Sequence, residues 1–227
     1  MSGKLLVVAT PLGNLDDLSP RAREALGTAS VVYCEDTRRT GNLFTRYGLT
    51  SPRLSCHEHN EYRRVPEVLE RLARGETVAI VSDAGTPVVS DPGERLVAAA
   101  AEAGHRVEAI PGPSAVMAIL SVCGFPAVPF SFLGFPPSRQ GERARWYAAY
   151  AERKETRVLF ESPFRIVASL RAMAEAWADP RVAVGRELTK LHEEVLRGTA
   201  SEVAALLEAR PGIKGELVLA VSGSERP

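Results

Sequence analysis

The sequence predicts an α/β protein of two domains, the first a mostly parallel sheet with helices on both faces, the second a mixed sheet. Three observations predict this. In the first half, short apolar runs alternate with helical apolar patterns, and strand–helix–strand repeated at this spacing implies a parallel sheet. The rhythm changes at Pro111-Gly112-Pro113. Beyond that point, adjacent strand-like runs near Arg186 and Glu193 imply a hairpin, hence a mixed sheet. The boundary falls near Gly112, giving domains 1–112 and 113–227.

The elements follow in order. Leu5–Ala9 is a short β-type run. Ser19-Pro20 opens a helix, with Ser as N-cap and Pro at the first helical position. Val31–Cys34 is a second strand, and Thr40–Tyr47 a helix closed by Gly48. Arg53–His57 is a weak strand, Val65–Ala73 a helix stopped by Gly75, and Val78–Val81 a buried strand. Glu94–Ala103 is a helix ended by Gly104, and Val107–Ile110 a strand. The second half predicts a helix from Ser114 to Val122, an aromatic stretch from Phe130 to Phe135, and a charged helix over Gly141–Lys154. A strand at Arg157–Phe160, a helix at Pro163–Trp177 and a strand at Arg181–Arg186 come next. Strands at Glu193–Arg197 and Glu216–Val221 then flank a helix at Ser201–Ala209.

Composition narrows the function classes. The chain has 227 residues, with 28 Lys+Arg against 28 Asp+Glu. Zero net charge argues against a protein that coats nucleic acid by charge alone. No apolar run approaches the ~20 residues of a membrane span, and no signal-peptide layout opens the chain, so the cytoplasm is the expected location. Cys34, Cys56 and Cys123 are widely spaced and form no CxxC pair, which reads as three reduced, buried thiols. His57-Glu58-His59-Asn60-Glu61 lacks HExxH spacing, so no metal site is expected. A polar loop that contacts RNA is the better reading, since Arg53, Arg63 and Arg64 flank it. Asp36, Arg38 and Arg39, at the end of the second strand, are read the same way.

The loops after the N-terminal strands are the informative part. Ala9–Asn14, Ser82–Gly93 and Pro111–Ala115 are rich in Gly, Pro and small polar residues. In an open parallel sheet, ligands bind beyond the C-terminal ends of the strands, and such residues let the backbone turn sharply and approach a ligand closely. GxGxxG after the first strand and GxxxxGK[ST] are both missing. That excludes the common dinucleotide and P-loop motifs.

Six segments carry a resemblance: Val7–Asn14, Glu35-Asp36-Thr37-Arg38, Ser82–Pro87, Ile110–Ala115, Phe132–Phe135 and Arg186–Lys190. In this order they resemble the 16S rRNA (cytidine-2′-O)-methyltransferases of the tetrapyrrole methylase superfamily. The resemblance implies S-adenosylmethionine as cofactor, bound in a cleft between two α/β domains, small-subunit ribosomal RNA or the assembled subunit as substrate, and a homodimer. It places Pro11, Leu12, Gly13, Ser82, Asp83, Ala84, Thr86, Ser114 and Ala115 in the cofactor-contact regions. Two departures stand out. Phe164 occupies a position where the family commonly has histidine, and the C-terminal extension of many relatives is missing here, with any RNA contact it makes.

The implied reaction is attack of a ribose 2′-hydroxyl on an activated methyl group. A hydroxyl is a poor nucleophile, so a general base helps. Lys190 with a lowered pKa is one such base, and Glu161 and Glu187 are others; Lys190 can also act as an electrostatic guide. His57, His59, Asn60, Phe135, Arg165 and Arg186 join Asp36, Arg38 and Arg39 as expected substrate contacts. Two rivals stay open: a methyltransferase acting on a porphyrin-like ring, and a non-catalytic S-adenosylmethionine-binding module of ribosome assembly. The wording Thr10-Pro11-Leu12-Gly13-Asn14 favours the rRNA enzyme over the first.

Overall fold

A computed structural model describes residues 3–223. It divides into two compact units, up to Ser114 and from Ala115 onward. The first holds β1 (Lys4–Val8), α1 (Pro20–Thr28), β2 (Val31–Cys34), α2 (Thr37–Tyr47), β3 (Arg53–Ser55), α3 (Glu61–Ala73), β4 (Thr77–Val81), α4 (Glu94–Glu102) and β5 (Arg106–Ile110). Its sheet has the order β3-β2-β4-β1-β5, with every pairing parallel.

Alternation along the strands divides the core in two. Leu6, Val8, Val32, Cys34, Ala79 and Val81 pack with Ala22 and Leu26 of α1 and Leu43 and Phe44 of α2. Their neighbours Leu5, Val31, Tyr33, Val78 and Ile80 pack with Val68 and Leu72 of α3 and Leu96 and Ala100 of α4. Strands buried on both faces read as continuous apolar runs, as these do. The helix signals are local. Ser19 Oγ accepts the Ala22 amide at 3.1 Å, and Gly48 closes α2 in the left-handed conformation at φ 64°.

The second unit holds α5 (Ala115–Val122), β6 (Phe130–Phe132), α6 (Gln140–Ala149), β7 (Thr156–Glu161), α7 (Ile166–Ala176), β8 (Arg181–Arg186), β9 (Glu194–Thr199), α8 (Ala200–Glu208) and β10 (Leu217–Val221). Its sheet runs β6-β7-β10-β8-β9, parallel only between β6 and β7. The mixed sheet and the β8–β9 hairpin match the expectation. α6, α7 and α8 cover one face around Leu159, Leu170, Val184 and Leu219, and α5 packs on the other against Val158, Ala183 and Val218.

Two readings are corrected and a third, the aromatic stretch, gains an element. The aromatic stretch contains a short edge strand, β6. The charged helix stops at Ala149 rather than Lys154, where the Tyr150 carbonyl accepts from Arg157 Nη1 at 3.0 Å. The helix expected from Pro163 starts at Ile166, after a turn in which the Arg165 amide bonds the Ser162 carbonyl at 3.1 Å.

Candidate functional site

The neighbouring strands β4, β1 and β5 of the first sheet set three loops side by side at one end. Their backbones are joined. Thr10 and Gly85 exchange two hydrogen bonds, of 2.8 and 3.0 Å. Thr10 Oγ1 donates to the Ser82 carbonyl at 3.2 Å, and Thr86 Oγ1 to the Pro113 carbonyl at 3.0 Å. Thr10, Pro11, Ser82 and Gly85 are buried beneath, while Gly13, Pro111 and Gly112 are exposed and Leu12, Ala84, Thr86 and Ser114 are half-buried. The predicted loops therefore meet in one place.

Two glycines set the spacing. Gly85 sits at φ 83°, and a Cβ there would lie 3.0 Å from Leu12 Cδ2. A Cβ on Gly112 would lie 3.0 Å from that of Ala9. The loop after β4 also carries Val88 at φ 74° and Ser90 at φ 66°, conformations that cost ~1–3 kcal/mol each and gather at functional sites. Glu61, buried at the start of α3, anchors the far end of this loop. Its Oε1 accepts the Gly93 amide at 3.1 Å and the Arg95 amide at 2.8 Å, placing a carboxylate at the α4 N-terminus. Glu61 was not among the expected site residues; only its distant partners reveal the role.

The end of β2 joins this edge through Asp83. Its Oδ1 accepts the Asp36 amide at 3.0 Å, and its Oδ2 lies 3.5 Å from Arg39 Nη1. Asp83 thus ties two loops together. Burial, then the neighbouring Asp83 carboxylate, pushes the Glu35 carboxyl above its ordinary range. Asp36 caps α2 through the Arg38 amide at 2.8 Å and pairs with the Arg38 guanidinium at 2.8 Å. That side-chain bond from Arg38 holds the Asp36 pKa at about 2. Asp36 and Arg38 therefore satisfy each other, with the Arg38 side chain 90% exposed.

Asn60 is engaged likewise. Its side chain accepts the His57 amide at 2.8 Å and donates to Ser55 Oγ at 3.2 Å, shaping its own loop. His59 is exposed and meets His57 edge-on at 6.0 Å. No group of His, Cys, Asp and Glu able to hold a metal occurs among the described residues. The three cysteines are buried and free, and burial raises the Cys56 thiol to about 12, which leaves it inert.

The second unit holds the proposed chemical groups. Glu161 has a fully buried side chain, accepts from the Ser162 amide and Ser169 Oγ, and pairs with Arg165 at 2.7 Å. Arg165 also reaches the Pro136 carbonyl at 3.5 Å. Both groups are engaged within this turn. Arg186 pairs with Glu194 and donates to the Lys214 and His192 carbonyls, each at 3.2 Å, so it braces the loop after β8. Phe135 is half exposed, with its ring 5.4 Å from that of Phe160.

Lys190 carries the main correction. Its Nζ lies 2.8 Å from Glu187 Oε1 and 3.0 Å from Glu216 Oε2. Burial works against the charge, but hydrogen bonds to Glu187 and Glu216 outweigh it and raise the Lys190 pKa, opposite to the lowered value expected of a base. Glu187 shifts in the opposite direction. Burial favours its neutral form, yet the Lys190 and Glu216 donors win and hold it below the ordinary range. The loop is strained, with Glu187 at φ 52° and Thr189 at φ 69°. Gly215 makes room for it, since a Cβ there would lie 2.5 Å from Glu187 Cγ. Gly215 and Glu216 were missed because the contact joins positions far apart in the chain.

A family model for tetrapyrrole (corrin/porphyrin) methylases matches residues 4–204. The chain belongs to the tetrapyrrole methylase family. Within it, the chain is 46% identical over 222 residues to the ribosomal RNA small subunit methyltransferase I of Mesorhizobium japonicum, covering 97% of this chain and 76% of the relative. It is 42% identical to the protein of that name from Thermotoga maritima, covering 98% of this chain and all of the relative. Among solved structures, the fold matches the methyltransferase CobJ with a TM-score of 0.73 at 20% identity, over 100% of this chain and 97% of that one. It also matches uroporphyrin-III-C-methyltransferase from Thermus thermophilus, with a TM-score of 0.66 at 21% identity, over 97% and 94%. At these identities the structures speak for the tetrapyrrole methylase fold alone.

The residues fit the methyl donor of this family. S-adenosylmethionine presents an adenosine and an amino-acid tail, which ask for backbone amides, carbonyls and hydroxyls at close approach. The joined loops offer those groups around Ala84, Thr86 and Ser114, and Gly85 and Gly112 remove the side chains that would fill the space.

Proposed function

We infer that the protein is an S-adenosylmethionine-dependent methyltransferase acting on the ribose 2′-hydroxyl of a cytidine in small-subunit ribosomal RNA. The observation that carries this is the joined three-loop edge, in a chain 46% identical over 97% of its length to a ribosomal RNA small subunit methyltransferase I. Pro11–Gly13, Ser82, Ala84, Thr86, Ser114 and Ala115 hold the cofactor, with Asp83 fixing the loop that carries them. The cofactor, when bound, supplies a methyl group already activated for transfer, so the protein's task is mostly positioning and exclusion of water. Lys190 remains protonated, and its charge, fixed by Glu187 and Glu216, orients the attacking hydroxyl. Arg39, His57, His59 and Phe135 contact the RNA. The test is a map of rRNA 2′-O-methylation in a strain lacking this protein and after complementation. A cytidine that loses and regains its methyl group supports the reading, and an unchanged map refutes it.

The same reading takes the active form to be a homodimer, on family likeness. Light scattering at micromolar concentration should give about twice the chain mass of 24.5 kDa; the monomer mass would contradict it.

A further inference from the structure

Outside the loops described above, the second unit contains a cavity of about 840 Å³ between α5, the α7–β8 turn and the end of β10. That is within the usual ~300–1,000 Å³ of ligand pockets. Its lining is rich in arginine: Arg153, Arg157, Arg181 and Arg197, against one carboxylate, Asp179. Asp179 is engaged, accepting from the Ser201 amide at 2.8 Å and the Ser201 hydroxyl at 2.6 Å. Arg153 pairs with Glu155 at 3.2 Å. The other three arginines form no ion pair with a carboxylate among the described residues, although the Glu155 charge acts on Arg157. Arg197 donates to the Val195 and Val122 carbonyls, and Arg181 is exposed.

Arg157 is the unusual one. It is 3% exposed. Its guanidinium lies 4.0 Å from the centroid of the Trp177 ring and donates to the Tyr150 and Ser222 carbonyls, each at 3.0 Å. Its Nε is buried with no hydrogen-bond partner among the described residues. A buried cation without an anion is costly, and proteins normally pair it. Burial lowers the Arg157 pKa to about 10, so it is still charged at neutral pH. Four guanidinium groups around one cavity, three of them in no ion pair among the described residues, leave room for an anion with several acceptor oxygens. Arginine forks suit phosphate in particular.

We propose that this cavity is a phosphate-binding site, and that it takes a backbone phosphate of the RNA substrate. The proposal rests on the functional reading above and adds an anchoring point outside the cofactor loops. Arg157, stacked on Trp177, forms the floor, and Arg181 and Arg197 close on the phosphate from the exposed side.

The test uses the full chain and avoids Arg157, whose removal would disturb the core. In an Arg181→Gln/Arg197→Gln variant, affinity for a small-subunit rRNA fragment should fall about tenfold. The slope of log affinity against log salt should become shallower by about 0.7 for each lost phosphate contact. S-adenosylmethionine affinity and the thermal melt should be unchanged, which separates lost contacts from lost fold. In a Trp146→Phe background, inorganic phosphate should change Trp177 fluorescence saturably, and the double variant should abolish the change. Unchanged RNA affinity and salt slope overturn the proposal, and a phosphate response on its own would assign the cavity to a free anion instead. If the wild-type protein binds the fragment but its rRNA methylation map shows no target, the functional reading fails and the binding result is judged separately.

Discussion

At the scale of single residues, the decisive contrast lies between a lysine poised to lose its proton and one held as a cation. Two carboxylates surround Lys190 Nζ, and its pKa is raised. Lys190→Met keeps much of the apolar stem and removes the charge. The single-turnover rate should fall roughly 10²-fold with S-adenosylmethionine affinity nearly unchanged, an effect confined to the transition state. The sign of the pH dependence follows from the raised pKa. The cation persists through pH 7–9, so the wild-type rate should be flat there, whereas a neutral-amine base would make it climb. A tenfold rise per pH unit across that range would restore the base role.

At the scale of elements, the site depends on how helix and strand ends are finished. Glu61 accepts two backbone amides at the start of α4. Glu61→Ala would leave both unsatisfied and should cost about 2–3 kcal/mol in urea unfolding. Glu61→Gln keeps an acceptor and should cost clearly less. Equal losses in the two variants would mean that packing, not the cap, is what Glu61 supplies. Beside the loop after β8, Glu194 receives Arg210 and Arg186, which hold its carboxyl at about 2. A depressed pKa contributes stability that is complete above the unfolded value and is lost as pH falls through the folded one. The wild type should therefore lose on the order of 2 kcal/mol between about pH 5 and pH 2 through this group. Glu194→Gln should be less stable at pH 7 and show a smaller acid loss, measured by unfolding at both ends of the range.

At the scale of the whole molecule, cofactor binding should register as stability. A ligand present at one hundred times its Kd adds about 2.7 kcal/mol when only the folded state binds it. S-adenosylmethionine or S-adenosylhomocysteine should thus raise the Tm by roughly 5–10 °C for a chain of this size. Ala84→Trp, which places a ring on the half-buried loop, should remove that shift while leaving the Tm without ligand near the wild-type value. A full shift in the variant would move the cofactor away from this loop.

By itself the sequence determined what local chemistry controls. Apolar runs such as Val78–Val81 form strands because burial on both faces demands continuous apolar residues. Ser19-Pro20 starts a helix, Gly48 ends one, and the Gly- and Pro-rich loops fall at strand ends because φ preferences and caps act over a few residues. Six short segments were enough to mark the family. Only the tertiary structure decided which charged groups are free. Asp36 is spent on Arg38, Glu161 on Ser169 and Arg165, Arg186 on Glu194, and Lys190 on Glu187 and Glu216. Glu61 serves amides more than thirty residues away, and Arg157 is in no ion pair among the described residues. A side chain's protonation and availability depend on burial and on partners brought together by the fold, and sequence spacing carries no record of either.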